Sequence, residues 1–157
     1  MNRHEFVKCV ESSQRNLRRF LAGLCAGDLS LADDIAQDAY LKAYMNSEKF
    51  NDIPNFNLWI YKIAYNTFLT KKRHSYRFTD ISDVKKMESS LQSDSAFKYE
   101  TLYKALDRLP PKERSGVLLF YMEGYSSKEI AEILDISDDS VRKNLSRARL
   151  HLKNLIK

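Results

Sequence analysis

The C-terminal part of the chain contains the sequence SSKEIAEILDISDDSVRKNLSRAR, which runs from Ser126 to Arg149. Ser126 is followed three residues later by Glu129, the form of a capping box, so a short helix is predicted to begin there. A longer helix is predicted from about Asp138, after a three-residue turn, and these proportions are those of a helix-turn-helix. Asp135 stands where the turn usually has glycine, and Asp tolerates the left-handed conformation better than most residues. An ordinary helical hairpin stays open as the alternative.

The last helix is predicted to have an apolar side and a basic side. Its apolar stripe is predicted to be buried and consists of Val141, Leu145, Ala148, Leu152 and Leu155. Away from that stripe lie side chains suited to DNA phosphates and guanine edges: Arg142, Lys143, Ser146, Arg147 and Arg149. A solvated basic face is the alternative, and Asp138 and Asp139 would repel a phosphate at the helix start. DNA is the favoured partner.

Three helices are predicted in the first half of the chain, over about 3–25, 30–46 and 55–74. The third carries a polar stripe that contains the only tryptophan: Trp59, Lys62, Asn66, Thr70 and Arg73. Such a set suits stacking on an unpaired base or wedging into a duplex, although a lone tryptophan is as often a core anchor. The loop before this helix offers Phe50, Asn51, Asn55, Phe56 and Asn57. They could capture a flipped base or merely pin the loop to the domain.

The second predicted helix carries an acidic and partly apolar stripe, formed by Asp33, Asp34, Gln37, Asp38 and Leu41. This stripe cannot be a DNA face. In a chain of net charge +5 it suggests a docking surface for a basic protein partner, with a solvated acidic face as the default alternative. No histidine, cysteine or second carboxylate helix converges on it, so neither catalysis nor a metal site is expected.

Length and composition limit the fold class. The chain has 157 residues, of which 43% are hydrophobic and 30% charged, with 4 glycines and 3 prolines. These values favour a soluble all-α protein of two small helical domains, 1–75 and 98–157, joined by a flexible linker over 76–97. Glycine-rich phosphate loops and membrane spans are not expected. The protein is expected in the cytoplasm. No cofactor is predicted.

Four segments together resemble the extracytoplasmic-function (ECF) sigma factors of bacterial RNA polymerase. DDIAQDAYLKAY (33–44) is similar to the family's polymerase-docking helix, and FNLWIYKIAYN (56–66) is similar to the segment that melts and reads the −10 element. LDRLP (106–110) and the segment 126–149 resemble sigma region 4. The resemblance implies two domains, sigma regions 2 and 4, and no enzymatic activity.

The resemblance also implies partners and site residues. The stripe of Asp33, Asp34, Gln37, Asp38 and Leu41 would bind core RNA polymerase at the β′ clamp helices, and the β flap would be a further contact. The −10 strand would be held by Phe50, Asn55, Phe56, Trp59, Lys62, Asn66 and Arg73. The −35 element would be held by Arg142, Lys143, Asn144, Ser146, Arg147 and Arg149. Asn144 departs from the usual basic residue and suits adenine. An anti-sigma factor is an expected partner.

Two other classes of function stay open. A polymerase-independent helix-turn-helix regulator would use the C-terminal domain alone and bind duplex DNA, expected as a dimer. A protein-interaction module would bind DNA weakly and without sequence preference. The acidic second helix discriminates among the three, because only polymerase docking accounts for it.

Overall fold

The computed structural model describes residues 1–77 and 94–155, with side chains described for 1–73 and 100–155. Seven α-helices and no strands occur in those ranges, which confirms the predicted all-α fold class. The helices are α1 (Arg3–Leu24), α2 (Leu29–Met45), α3 (Phe56–Arg77), α4 (Asp94–Asp107), α5 (Pro111–Val117), α6 (Ser127–Leu134) and α7 (Asp138–Leu155).

Local sequence signals account for several helix ends. Asn2 and Glu5 form a capping box at the start of α1, and the Asp28 side chain caps α2 by accepting a hydrogen bond from the Leu31 amide. Gly27 follows α1 with a φ of +89°, a conformation that glycine adopts without strain. Two short 3₁₀ turns, Ser47–Lys49 and Ile53–Asn55, connect α2 to α3.

The structure describes the two ends of the predicted linker but not its middle. Helix α3 continues to Arg77 and α4 begins at Asp94, so both ends of the segment 76–97 are helical. The central residues 78–93, and with them the predicted flexibility of the linker, lie outside the described residues.

One continuous core joins the N-terminal bundle (α1–α3) to the C-terminal bundle (α4–α7). In the N-terminal bundle Phe20, Ile35 and Ile60 are fully buried. Leu119 and Ile130 are equally buried in the C-terminal bundle and belong to the same cluster. Helix α3 packs against α6, and α1 packs against the end of α5. The two bundles therefore share apolar surface that separation would expose.

Candidate nucleic-acid and docking surfaces

Helices α6 and α7 form the predicted helix-turn-helix. The Ser126 hydroxyl accepts from the Glu129 amide and the Glu129 carboxylate accepts from the Ser126 amide, so the capping box is confirmed. Asp135 ends α6 with φ 58° and ψ 49°, the left-handed conformation expected at this turn. Val141 and Leu145 are buried, which seats α7 on the rest of the bundle and leaves its basic side facing outward.

Four of the predicted −35 residues lie exposed on this outward side: Arg142, Lys143, Ser146 and Arg147. Arg142 pairs with Asp138 at 2.6 Å and Lys143 pairs with Asp139 at 3.8 Å, each one helical turn away. Arg147 has no ion pair within the described part of the chain. This outward side of α7, called the recognition face below, therefore presents two cations that are paired with carboxylates and one that is not.

The other two predicted −35 residues, Arg149 and Asn144, lie at the margins of the recognition face. The Arg149 guanidinium stands 5.7 Å from the centre of the Tyr121 ring and donates to its hydroxyl, so it is turned toward the π-helical turn Leu118–Met122 that follows α5. Asn144 is half-buried, about 100° around the helix from Lys143. Neither residue shares the surface of Lys143 and Arg147 in this arrangement.

A groove of about 340 Å³ between α2 and α3 brings together two of the predicted −10 residues, Trp59 and Asn66. Lys42, Asn46 and Thr70 also line it. Amide, hydroxyl and ammonium groups beside an indole can hydrogen-bond and stack on an unpaired base.

The Trp59 ring is partly covered by the loop that precedes α3. The ring is half-buried and stacks on Phe50 at 4.1 Å with an angle of 3° between the planes, so one indole face is covered. Phe56 meets Trp59 edge to face at 5.8 Å and is only 3% exposed, which makes Phe56 a core residue. These ring contacts attach the loop to the bundle and bury Phe56. Capture of a base by this loop stays a prediction.

The remaining predicted −10 residues lie outside the groove lining. Asn55 donates to the Asp52 carboxylate at 2.7 Å within the loop. Lys62 is half-buried, and Arg73 is exposed further along α3. Lys42 was not predicted, yet it lines the groove and donates to Thr67 at 3.1 Å. Its position opposite α3 follows from helix packing, which periodicity along one helix does not show.

The predicted acidic stripe lies on the outer side of α2, and its carboxylates differ in their partners. Asp33 pairs with Arg18 of α1 and accepts from Gln37 at 3.0 Å. Asp38 pairs with Lys71 of α3 at 2.9 Å. Asp34 is exposed and has no ion pair among the residues with described side chains. Asp34 is therefore the carboxylate most available to a partner, whereas Asp33 and Asp38 also link α2 to its neighbours.

An exposed apolar patch continues this stripe toward the end of α2. Leu41 is 59% exposed, Tyr44 47% and Met45 73%. Leu41 belongs to the predicted stripe and Met45 does not, although the spacing of four residues places both on one face. Large apolar side chains grouped beside carboxylates are typical of a protein-docking surface.

A buried polar cluster, which helical periodicity did not predict, connects the two bundles. Glu123 follows the π-helical turn Leu118–Met122 and has a side chain only 2% exposed. Its carboxylate accepts a hydrogen bond from the Tyr61 hydroxyl at 3.0 Å and two from the Arg19 guanidinium at 3.2 and 3.3 Å. Burial and the nearby Glu123 carboxylate raise the pKa of Tyr61, which keeps the phenol protonated as the donor.

Arg114 provides a second connection from α5 to the end of α1. Its guanidinium, in a residue 3% exposed, donates to the carbonyls of Leu106 and Leu109 and, at 2.6 Å, to that of Leu24. Burial lowers the pKa of Arg114 from its ordinary value. Burial raises the pKa of the neighbouring Cys25 thiol to about 12.

The described residues contain no group of three or more histidine, cysteine or acidic side chains placed to hold a metal ion, and none of their helices is long and apolar enough to cross a membrane. The structure thus defines a helical protein with a helix-turn-helix, a polar groove beside a tryptophan, and an acidic and apolar outer helix face.

Comparisons with known proteins identify the family to which this helical protein belongs. Residues 9–78 match the family description "Sigma-70 region 2", and residues 99–152 match "Sigma-70, region 4". The chain is 34% identical over 133 residues to the RNA polymerase sigma factor YlaC of Bacillus subtilis, covering 80% of this chain and 77% of that protein. It is 28% identical over 144 residues to the ECF RNA polymerase sigma factor EcfG of Rhodopseudomonas palustris, covering 90% and 79%.

A solved structure extends the likeness to the whole fold. The sigma factor RpoE of Bartonella quintana, solved in complex with the anti-sigma factor NepR, superimposes with a TM-score of 0.82 and 25% identity over 96% of each chain. The chain therefore belongs to the sigma-70 family, as an ECF-type RNA polymerase sigma factor. The N-terminal bundle corresponds to region 2, and the C-terminal bundle to region 4.

Proposed function

We propose that this chain binds bacterial core RNA polymerase through the outer face of α2 and directs initiation at promoters with −10 and −35 elements. The observation that carries the proposal is that face, where exposed Asp34 adjoins the apolar patch of Leu41, Tyr44 and Met45. A DNA-binding surface would be basic, so this acidic and apolar face is better suited to a basic protein partner. The β′ clamp helices would be its partner, and the β flap would contact the C-terminal bundle.

Promoter DNA would be bound at two places. The groove beside Trp59 and Asn66 would hold an unpaired base of the −10 strand, with Lys42 as an added cation. The outward side of α7 would enter the major groove at the −35 element through Lys143 and Arg147, with Arg142 released from Asp138 on binding. The chemistry of RNA synthesis would remain with the polymerase, in the cytoplasm.

Engagement of both elements requires the two bundles to separate. Elements 25 base pairs apart lie about 85 Å apart on straight duplex at ~3.4 Å per pair. A compact chain of 157 residues has a radius of gyration of about 15 Å and hence a diameter of roughly 40 Å. The packed arrangement cannot reach both elements, so polymerase would have to hold the bundles apart.

An anti-sigma factor would act on the packed arrangement. The Bartonella quintana sigma factor was solved with such a partner, and this chain superimposes on it over 96% of its length. Because that overlap includes both bundles, their packed arrangement here resembles one that an anti-sigma factor holds. This likeness supports an anti-sigma partner for the present chain.

The test is a binding assay with purified core polymerase from the native host. Asp34→Lys combined with Leu41→Ala should weaken assembly at least tenfold, because it reverses a charge and removes an apolar contact at exposed positions. Glu11→Lys, at an exposed position of α1, is the matched charge control and should assemble normally. Unchanged assembly of the double variant would remove the docking assignment, and no assembly of the wild-type chain would favour a polymerase-independent regulator.

A further inference from the structure

We propose that Asp139 is a specificity-determining residue for the upstream promoter element, where its carboxylate accepts a hydrogen bond from the N4 amino group of a cytosine. The inference rests on the proposed function, because it assigns a base to one position of the recognition face. Nothing in the general need for cations on DNA explains a carboxylate at that place.

Asp139 lies near the middle of the outward side of α7. At about 100° per residue it stands roughly 40° from Lys143, 60° from Arg142 and 80° from Arg147 around the helix axis. Val141, by contrast, lies about 160° away and is buried. The Asp139 side chain is 73% exposed. Whatever surface meets Lys143 and Arg147 must also meet this carboxylate.

The neighbouring Asp138 has a different role. Its side chain is only 27% exposed and is held by Arg142 at 2.6 Å. The Ser127 hydroxyl at the start of α6, and then Arg142, lower the pKa of Asp138. Asp138 is therefore partly covered and closely paired within its own helix, whereas Asp139 is held only by Lys143 at 3.8 Å between two exposed side chains. Such a pair separates at little cost.

The hydrogen-bonding groups on the base edges determine which base an exposed carboxylate can bind. Residues near the N-terminus of a recognition helix contact base edges. Asp139 lies in the first turn of α7. Guanine and thymine present acceptors in the major groove, which repel a carboxylate. Adenine presents an amino group beside the N7 acceptor, while cytosine presents its N4 amino group without one. Cytosine is therefore the preferred base, and Lys143 becomes free to bind a nearby phosphate.

A simpler explanation is that Asp139 only stabilises α7, since acidic residues favour helix N-termini and i, i+4 pairs with lysine. The two explanations differ in what substitution does to base preference. A stabilising charge affects all promoter sequences alike, whereas a base-reading group affects one position.

The experiment selects binding sequences from a promoter library randomised over the upstream element, using holoenzyme made with the full chain. Asp139→Ala should reduce the preference for cytosine at one position by about 5- to 10-fold and leave the other positions unchanged. Asp139→Asn should turn the same position toward adenine, because an amide can pair with adenine N6 and N7. Glu132→Gln removes an equal charge from α6 and should leave every position as in the wild type.

The outcomes separate this inference from the function on which it rests. A wild-type selection with an upstream element, but with every position unchanged in Asp139→Ala, would overturn the assignment of Asp139 alone. Tighter binding to all sequences with no positional change would overturn it too, because the carboxylate would then be only a repulsive charge. Failure of the wild-type holoenzyme to select any upstream sequence would overturn the proposed function and this inference together.

Discussion

Replacing Glu123 with alanine should open the contact between the two bundles without unfolding either one. Both partners of the Glu123 carboxylate, Tyr61 and Arg19, lie in the N-terminal bundle, whereas Glu123 lies in the C-terminal bundle. A hydrogen bond to a buried charged group contributes about 1.5–3 kcal/mol. The Arg19 side chain is 51% exposed, so its ion pair adds only about 0.5 kcal/mol.

The sum is about 2–3.5 kcal/mol, which corresponds to a roughly 30- to 400-fold larger open population. Cys25 is a native reporter for it, because the thiol is 9% exposed beside Arg114 at the end of α1. Its alkylation rate, followed by mass spectrometry, should rise by that factor in Glu123→Ala. Cys9 lies about 24 Å away along the same helix and is the internal control.

Two controls separate local opening from global unfolding. Glu132→Ala removes an exposed carboxylate from α6 and should leave the labelling of Cys25 unchanged. The accelerated labelling in Glu123→Ala should also depend less on urea than global unfolding does, because separating two bundles exposes less surface. Equal protection of Cys25 in Glu123→Ala and in the wild type would refute the view that this cluster holds the bundles together.

Two further predictions concern DNA binding and pH. Arg147→Ala should weaken promoter binding by the holoenzyme and reduce its salt slope by about one unit, because Arg147 is an exposed cation free for a phosphate; an unchanged slope measured by salt titration would count against that contact. The free energy of unfolding should fall as pH rises from about 9 toward 12, since the unfolded Cys25 thiol ionises near its ordinary value of 9.0 and the folded one only at about 12. Urea titrations should show Cys25→Ala losing up to ~1.4 kcal/mol less per pH unit than the wild type in that range, and equal slopes would contradict the assignment.

Local signals in the sequence predicted the helix-turn-helix well. The capping box at Ser126, the left-handed Asp135 and the buried stripe containing Val141 and Leu145 all depend on residues close in the chain. Each of these features is determined by residues close in the sequence, so helical periodicity and capping chemistry are enough to predict it. The same holds for the acidic face of α2.

Contacts between distant segments could not be predicted in this way. Glu123 and Tyr61 are 62 residues apart, and Arg114 reaches the Leu24 carbonyl across 90 residues. Arg149 was assigned to the DNA face from its angle around α7, yet Tyr121 of a different segment holds it at the margin. Helical periodicity gives the side of a helix on which a residue lies, but not which other helix covers that side.

The most direct test of the central claim is transcription by core polymerase from the native host, supplied with the purified chain and a library of random promoter sequences. The transcript start sites are then sequenced. The proposed function predicts starts that share two upstream elements, near −10 and −35, and that disappear when the chain is omitted. Assembly without such starts, or no assembly with the anti-sigma factor absent, would contradict the assignment of this chain as a promoter-selecting sigma subunit.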